Sequence, residues 1–277
     1  EQLWKLVADN KQQGRYKGYI KNVVLNKILL LNEFWPFILK TPLNADLTIG
    51  IDVKNNFAGF TLVYKTGKHT RFSWSESNQK ERLSRTHMKT KILKLIRNEK
   101  DSFPNSVNHI VIHRDGTLYP SEKRGIQEAL EELVQEGTIP AGCTCDFLEI
   151  RKTSRTPFRL FNTHIPPGSH NLEVQNPVVG TYVIFDKESF ICNTGFPYWH
   201  KGSSVPLHII KDDGPTDLNK LVEDIFYLSN LTWTKIDDCS REPLTIKLND
   251  VRLREVGGEY DEDALKFVED ERGESNE

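Results

Sequence analysis

Apolar positions along the chain change period several times, and the changes mark out its elements. From Leu3 to Leu31, Tyr19, Val23, Leu25, Ile28 and Leu29 recur at mixed i+3/i+4 spacings, which predicts helix. Pro36 and Pro42 then punctuate the chain. Leu47-Thr-Ile-Gly-Ile-Asp-Val53 is rich in β-branched residues and predicts a strand. Phe57 to Tyr64 follows as a second strand after Lys54-Asn55-Asn56, and Thr70 to Trp74 as a third. Leu83, Met88, Ile92, Leu95 and Ile96 give an amphipathic helix from about Glu81 to Arg97. The apolar run Asn108 to His113 predicts a buried strand. Ser121 is the expected N-cap of a helix through Gln135 that stops at Gly137. Phe147 to Arg151, Phe158 to Phe161, Tyr182 to Phe185 and Leu207 to Ile210 predict further strands, and Thr163 to Gly180 a loop. Helices are expected over Thr216 to Asn230 and Leu248 to Val256. A meander followed by alternating strands and helices implies an α/β fold, a mixed β-sheet flanked by helices.

Composition narrows the class. Hydrophobic residues at 37% and charged residues at 27% are an ordinary globular mix. No apolar run approaches the ~20 residues needed to cross a bilayer, so no membrane partner is expected. The chain starts at Glu1 with no signal peptide and is expected to be a piece of a longer cytoplasmic protein. Cys143, Cys145, Cys192 and Cys239 lack zinc-ligand spacing and read as free thiols in a reducing compartment. The net charge of −2 conceals an asymmetry. Ten acids against Lys266 and Arg272 give residues 255–277 a charge of −8, leaving residues 1–254 at +6. A basic body suits a polyanionic partner, and the acidic end reads as a solvated tail over 259–277.

Two aspartates stand at the carboxyl ends of predicted strands: Asp52 in Ile49-Gly50-Ile51-Asp52-Val53, and Asp115 in His113-Arg114-Asp115-Gly116. Judged singly, each reads equally well as a turn-capping residue. Together they suggest a cation, because neighbouring carboxylates raise each other's pKa unless a counter-ion with a preference for oxygen lies between them. His113 reads as a packed strand residue without a chemical role. Trp35 and Trp74 are expected in the core, and Trp199 reads as packed.

Gly50-Ile51-Asp52, His113-Arg114-Asp115-Gly116, Ile150-Arg151-Lys152-Thr153-Ser154 with Arg159-Leu160-Phe161, and Leu244 through Asn249-Asp250-Val251 to Gly257 occur in this order. The set resembles the PIWI domain of prokaryotic Argonaute proteins over roughly residues 45–257. The resemblance implies a ribonuclease-H-like fold, with the C-terminal end of a MID domain in residues 1–46, a PIWI domain over 47–258 and the tail beyond. Active members of the family carry four acids or their substitutes, which fall here on Asp52, a loop glutamate, Asp115 and Asp250. Glu81 is preferred for the loop position because it precedes the helix, and Glu76 competes.

The implied function is guide-dependent cleavage of a phosphodiester bond in a target strand, in host defence. Two Mg²⁺ or Mn²⁺ ions about 3.5–4 Å apart would activate water and stabilise the leaving oxyanion. Asp52, Asp115 and Asp250 would hold them, and Glu81 would order a water. Guide and target are RNA or DNA; the fold accepts both. Arg151, Lys152, Arg155 and Arg159 form a run without acids that the resemblance places along the guide, neutralising phosphates without reading sequence. Arg254 falls where the family reaches toward the guide's 5′ end. Leu30 and Leu31 occupy the neighbourhood of the family's 5′-phosphate lysine, with Lys27 out of register, which points to a 5′-hydroxyl guide or a rearranged pocket. Two rivals stay open: a PIWI module that binds guide and target but recruits a separate effector, and an unguided ribonuclease-H-like nuclease.

Overall fold

The structure is a computed structural model and describes residues 13–24, 37–54, 56–77, 82–103, 105–153, 157–195, 202–231 and 239–257. Five α-helices, one short 3-10 helix (Lys100–Ser102) and ten strands lie within these residues. Helix α1 (Gln13–Val23) falls inside the predicted N-terminal helical stretch. Strands β1 (Leu47–Lys54), β2 (Phe57–Tyr64) and β3 (His69–Glu76) form the expected antiparallel meander. Then follow α2 (Arg85–Glu99), β4 (His109–Asp115), α3 (Pro120–Gln135) and β5 (Thr144–Arg151). The small hairpin β6 (Asn162–His164) and β7 (Glu173–Gln175) precedes β8 (Thr181–Phe185), β9 (Glu188–Cys192) and β10 (Leu207–Asp213). Helices α4 (Leu218–Asn230) and α5 (Leu244–Val256) close the described chain.

One eight-stranded mixed sheet, in the order β3-β2-β1-β4-β5-β10-β9-β8, organises everything else. β1, β4 and β5 run parallel at its centre, and antiparallel strands flank them on both sides. This is the ribonuclease-H-like layout. Alternation along β1 sorts the two faces. Leu47, Ile49 and Ile51 point to one face and pack with Met88, Ile92 and Ile96 of α2 and Ile126, Ala129 and Leu133 of α3. On the other face Val111, Leu148, Ile150, Leu207 and Ile209 meet Leu221, Val222 and Ile225 of α4 and Ile246 of α5. Each such fully buried aliphatic side chain contributes roughly 1.5–3 kcal/mol.

Several boundaries differ from those expected. α3 begins at Pro120 rather than after Ser121, because Glu122 reaches back to the Tyr119 N–H (3.2 Å) and proline is well suited to the first helical position. α2 begins at Arg85, where the Ser84 hydroxyl accepts the His87 N–H. Phe158 to Phe161 is not a strand; Phe158 instead packs its ring on Phe190 of β9, ring centroids 4.5 Å apart. The predicted loop from Thr163 to Gly180 contains the β6–β7 hairpin. Trp74 is half exposed on the edge strand, not in the core, and meets Phe57 edge-on. α5 starts four residues before the predicted Leu248, which brings Thr245 into the helix. The four cysteines are free thiols. Trp35, Trp199, Leu30, Leu31 and Lys27 lie outside the described residues. No helix among the described residues is long and apolar enough to cross a membrane.

Candidate active site

β1 and β4 pair in parallel with Gly50 opposite His113 and Ile51 opposite Arg114. Asp52 and Asp115 each come one residue later, on the face that carries α5 rather than α2 and α3. Two features let α5 lie close there. A Cβ on Gly50 would collide with the Thr245 backbone carbonyl, and one on Gly59, opposite Asp52 on β2, would crowd Leu253 and Asn249 at 3.1–3.2 Å. Polar contacts fix the helix in place. The Thr245 hydroxyl lies 2.9 Å from His113 Nδ1, and the Thr61 hydroxyl donates to Asn249 Oδ1 at 2.7 Å, both buried. Burial pushes the His113 pKa down to about 3, so its ring is neutral and serves as an anchor. The next residue after Asn249 is Asp250, which α5 thus carries to the carboxylates of β1 and β4.

Asp115 and Asp250 both lie near enough to Asp52 for their charges to act on it. Asp52 is only 7% exposed, and burial together with the charge of Asp115 pushes its pKa up to about 6. Asp250 adds to that rise, while Lys152 and Arg114 oppose it. Asp115 Oδ2 is 2.9 Å from Lys152 Nζ. Asp250 is held on both oxygens, by Lys54 Nζ at 3.3 Å and by Arg254 at 2.9 Å. Burial alone would raise the Asp250 pKa; Lys152, Lys54 and Arg254 overcome it and hold it below the usual carboxylate value. Burial likewise works against the Lys152 ammonium, but Asp115 and Asp250 hold its pKa above the ordinary one.

The donors fit a hard divalent cation in kind, being carboxylates without thiolate or imidazole among them. Asp115 and Asp250 are paired with amines and a guanidinium, and among the described residues no three of His, Cys, Asp or Glu are gathered as ligands around one point. Glu81 and Arg155 lie outside the described residues. Glu76 ends the edge strand β3, two strands out from β1.

The basic run divides. Lys152 turns into the acid cluster, Arg151 pairs with Glu149 at 2.5 Å, and Arg159 is exposed, donating to the Phe158 carbonyl at 2.8 Å and facing the Ser203 hydroxyl. Arg254 is spent on Asp250 within its own helix.

Four contributors escaped the sequence. Lys54 shares a face with Asp52 by two-residue alternation, a signal that was there to use. Thr245 was hidden by the misplaced start of α5. Glu122, fully buried, pairs with Arg114 and accepts the Leu83 N–H at 2.8 Å, fixing the start of the α2 segment. Arg241, just before α5, donates to the Lys152 carbonyl, and its buried Nε has no partner among the described residues; no periodicity or motif marks it.

A Piwi domain family model matches residues 3–237, and the chain belongs to the Piwi domain family. The match ends before α5, so the placement of Asp250 and Arg254 rests on the packing just described. No match was found among curated proteins. Among solved structures the chain is similar to Clostridium butyricum Argonaute bound to a guide DNA (5′ deoxycytidine) and a 19-mer target DNA. The TM-score is 0.66 at 23% identity, over 84% of this chain and 30% of that one. The likeness is one of fold, and the chain spans less than a third of that Argonaute's length.

Proposed function

We propose that this chain is the nuclease portion of a cytoplasmic guide-dependent endonuclease that cuts one phosphodiester bond of a target nucleic-acid strand in host defence. The observation that carries this reading is the convergence of Asp52, Asp115 and Asp250, from two parallel strands and one helix, on a single sheet face. Asp52, Asp115 and Asp250 would hold Mg²⁺ or Mn²⁺, with Glu81 joining from the segment before α2. Bound there, the ions supply a nucleophilic water and a counter-charge for the leaving oxygen.

The residues of the chain do the rest. Asp52, central and buried, is the acid whose charge most lacks compensation, so it gains most from a cation. α5 and the His113–Thr245 contact keep Asp250 in range. Exposed Arg159 faces solvent, where a strand backbone can reach it. Guide and target, RNA or DNA, are taken as partners by analogy with the similar Argonaute, which was solved bound to a guide DNA and a target DNA.

The test is incubation with a matching guide, 5′-labelled single-stranded target and Mn²⁺. One cut at a fixed distance from the guide's 5′ end supports the reading. Cutting that ignores the guide makes this an unguided nuclease.

A second reading is a guide- and target-binding module that recruits an effector. What favours it is the saturation of the outer acids, Asp115 by Lys152 and Asp250 by Lys54 and Arg254. Guide-dependent target binding without any cut would select it.

A further inference from the structure

We propose that Lys152 is a switch shared between Asp115 and a nucleic-acid phosphate, so that strand binding and divalent-cation binding strengthen one another. The proposal rests on the metal-binding reading above and adds a coupling between the two ligands.

The three acids are not neutralised alike. Asp250 has a cation on each oxygen, one of them delivered four residues along its own helix. Asp52 is buried and has no cation within ion-pair distance among the described residues. Asp115 has one, the Lys152 ammonium at 2.9 Å. Lys152 therefore sits on the acid that must offer its oxygens to a cation, and the two cannot occupy the same place. A metal ion has to displace the ammonium, which lowers apparent metal affinity.

The same side chain is built to leave. Its backbone is tethered, because the Arg241 guanidinium holds the Lys152 carbonyl. Its side chain is not: a flexible four-carbon stem carries a compact charge that keeps 31% of its surface in solvent. Arg151, one residue before, is turned to Glu149, and Arg159 stands exposed beyond. Lys152 is thus the described member of the basic run that touches the acid cluster while retaining access to solvent. An ammonium at close range neutralises one anion or another. When a phosphate takes it, Asp115 loses its counter-ion, Asp52 loses a charge that offsets its acidic neighbours, and the cluster's demand for a cation rises. Linkage makes the effect reciprocal: whatever the strand does to metal affinity, the metal does to strand affinity.

The experiment titrates the full chain with Mn²⁺ and reads free Mn²⁺ by electron paramagnetic resonance. It is run with and without a single-stranded DNA oligonucleotide at a concentration that saturates each variant. The DNA's own Mn²⁺ binding is subtracted, and no turnover is needed. The oligonucleotide is expected to tighten Mn²⁺ binding by the wild-type chain about fivefold or more. Lys152→Met should bind Mn²⁺ tighter than wild type without DNA and gain nothing from it, whereas Lys152→Arg should restore part of the coupling. Equal tightening by DNA in wild type and Lys152→Met overturns the switch, as does Mn²⁺ affinity in Lys152→Met no higher than in wild type. Asp52→Asn separates the layers. If it abolishes the Mn²⁺ site while Lys152→Met behaves as wild type, the switch alone fails. If Asp52→Asn leaves Mn²⁺ binding untouched, the metal-binding reading falls and the switch with it.

Discussion

Gly50 lies directly beneath Thr245, so close that a Cβ on the glycine would strike the Thr245 carbonyl. This contact sets the height of α5 over the sheet and hence the position of Asp250. Gly50→Ala should lower stability by about 1–3 kcal/mol through overpacking, seen as a fall in Tm. It should also break the Lys54–Asp250 pairing as α5 lifts. An unchanged Tm would mean that α5 does not pack as described.

Asp52 offers a readout of the acid cluster that needs no catalysis. Its folded pKa, about 6, lies above the ordinary 3.8, so the native state binds the proton more tightly and stability falls as pH rises from about 4 to 6. Asp52→Asn should therefore be more stable than wild type by roughly 1–3 kcal/mol above pH 7, with the gap closing below about pH 4. Target cutting should be lost while guide binding survives. Urea melts at several pH values check the first part, and a cleavage assay the second.

Glu122 neutralises buried Arg114 and accepts the N–H groups of Leu83 and Tyr119. Glu122→Gln removes a buried charge that faces the Arg114 guanidinium and should cost about 3–5 kcal/mol, measured by denaturant unfolding. Adding Arg114→Met should recover part of the loss, since the guanidinium that Glu122 faces is then gone.

Half-buried His109 and buried Asp146 form a second pair, 2.8 Å apart, at the opposite ends of β4 and β5 from the acid cluster. The Asp146 hydrogen bond raises the His109 pKa above 6.5. Its contribution is full below pH 6.5 and lost as pH climbs through the folded value. Asp146 remains below 3.8 despite burial, owing to His109 and Thr216. It contributes above that pH and fades as pH falls through its folded value. Wild-type stability should drop from pH 6.5 upward, while His109→Gln should be flatter there and about 1–3 kcal/mol weaker at pH 6. A parallel pH dependence in the variant would remove this pair as the cause.

Arg159 and Arg151 should differ in nucleic-acid binding although both belong to the predicted basic run. If Arg159 meets a phosphate, Arg159→Ala should reduce the slope of log affinity against log salt by about 0.7 on single-stranded DNA. Arg151→Ala should leave the slope unchanged, because Glu149 already neutralises that side chain. Equal changes in the two variants would contradict the orientations described.

The sequence by itself determined the layers of this protein. The β-branched run of β1 and the apolar stripe of α2 are local signals, and they are enough to place a strand through Ile49 and Ile51 and a helix with Met88 and Ile92 on its apolar face, all of which the structure buries. It also marked Asp52 and Asp115, because an acid following a β-branched run stands out where it ends. Two segments were misplaced: the first turn of α5 buries Thr245 among Leu244 and Ile246, which interrupts a clean apolar period, and Phe158–Phe161 lays an aromatic ring on another strand.

Only the tertiary structure decided what the charges do. A lysine in a basic run carries nothing that says whether it faces solvent or an acid 37 residues earlier. Long side chains choose partners by proximity, and proximity here comes from strand order and the close approach of a helix. Gly50, Gly59 and the His113–Thr245 bond let α5 down onto the sheet. That descent gives Asp250 its cations and puts Lys152 between two acids.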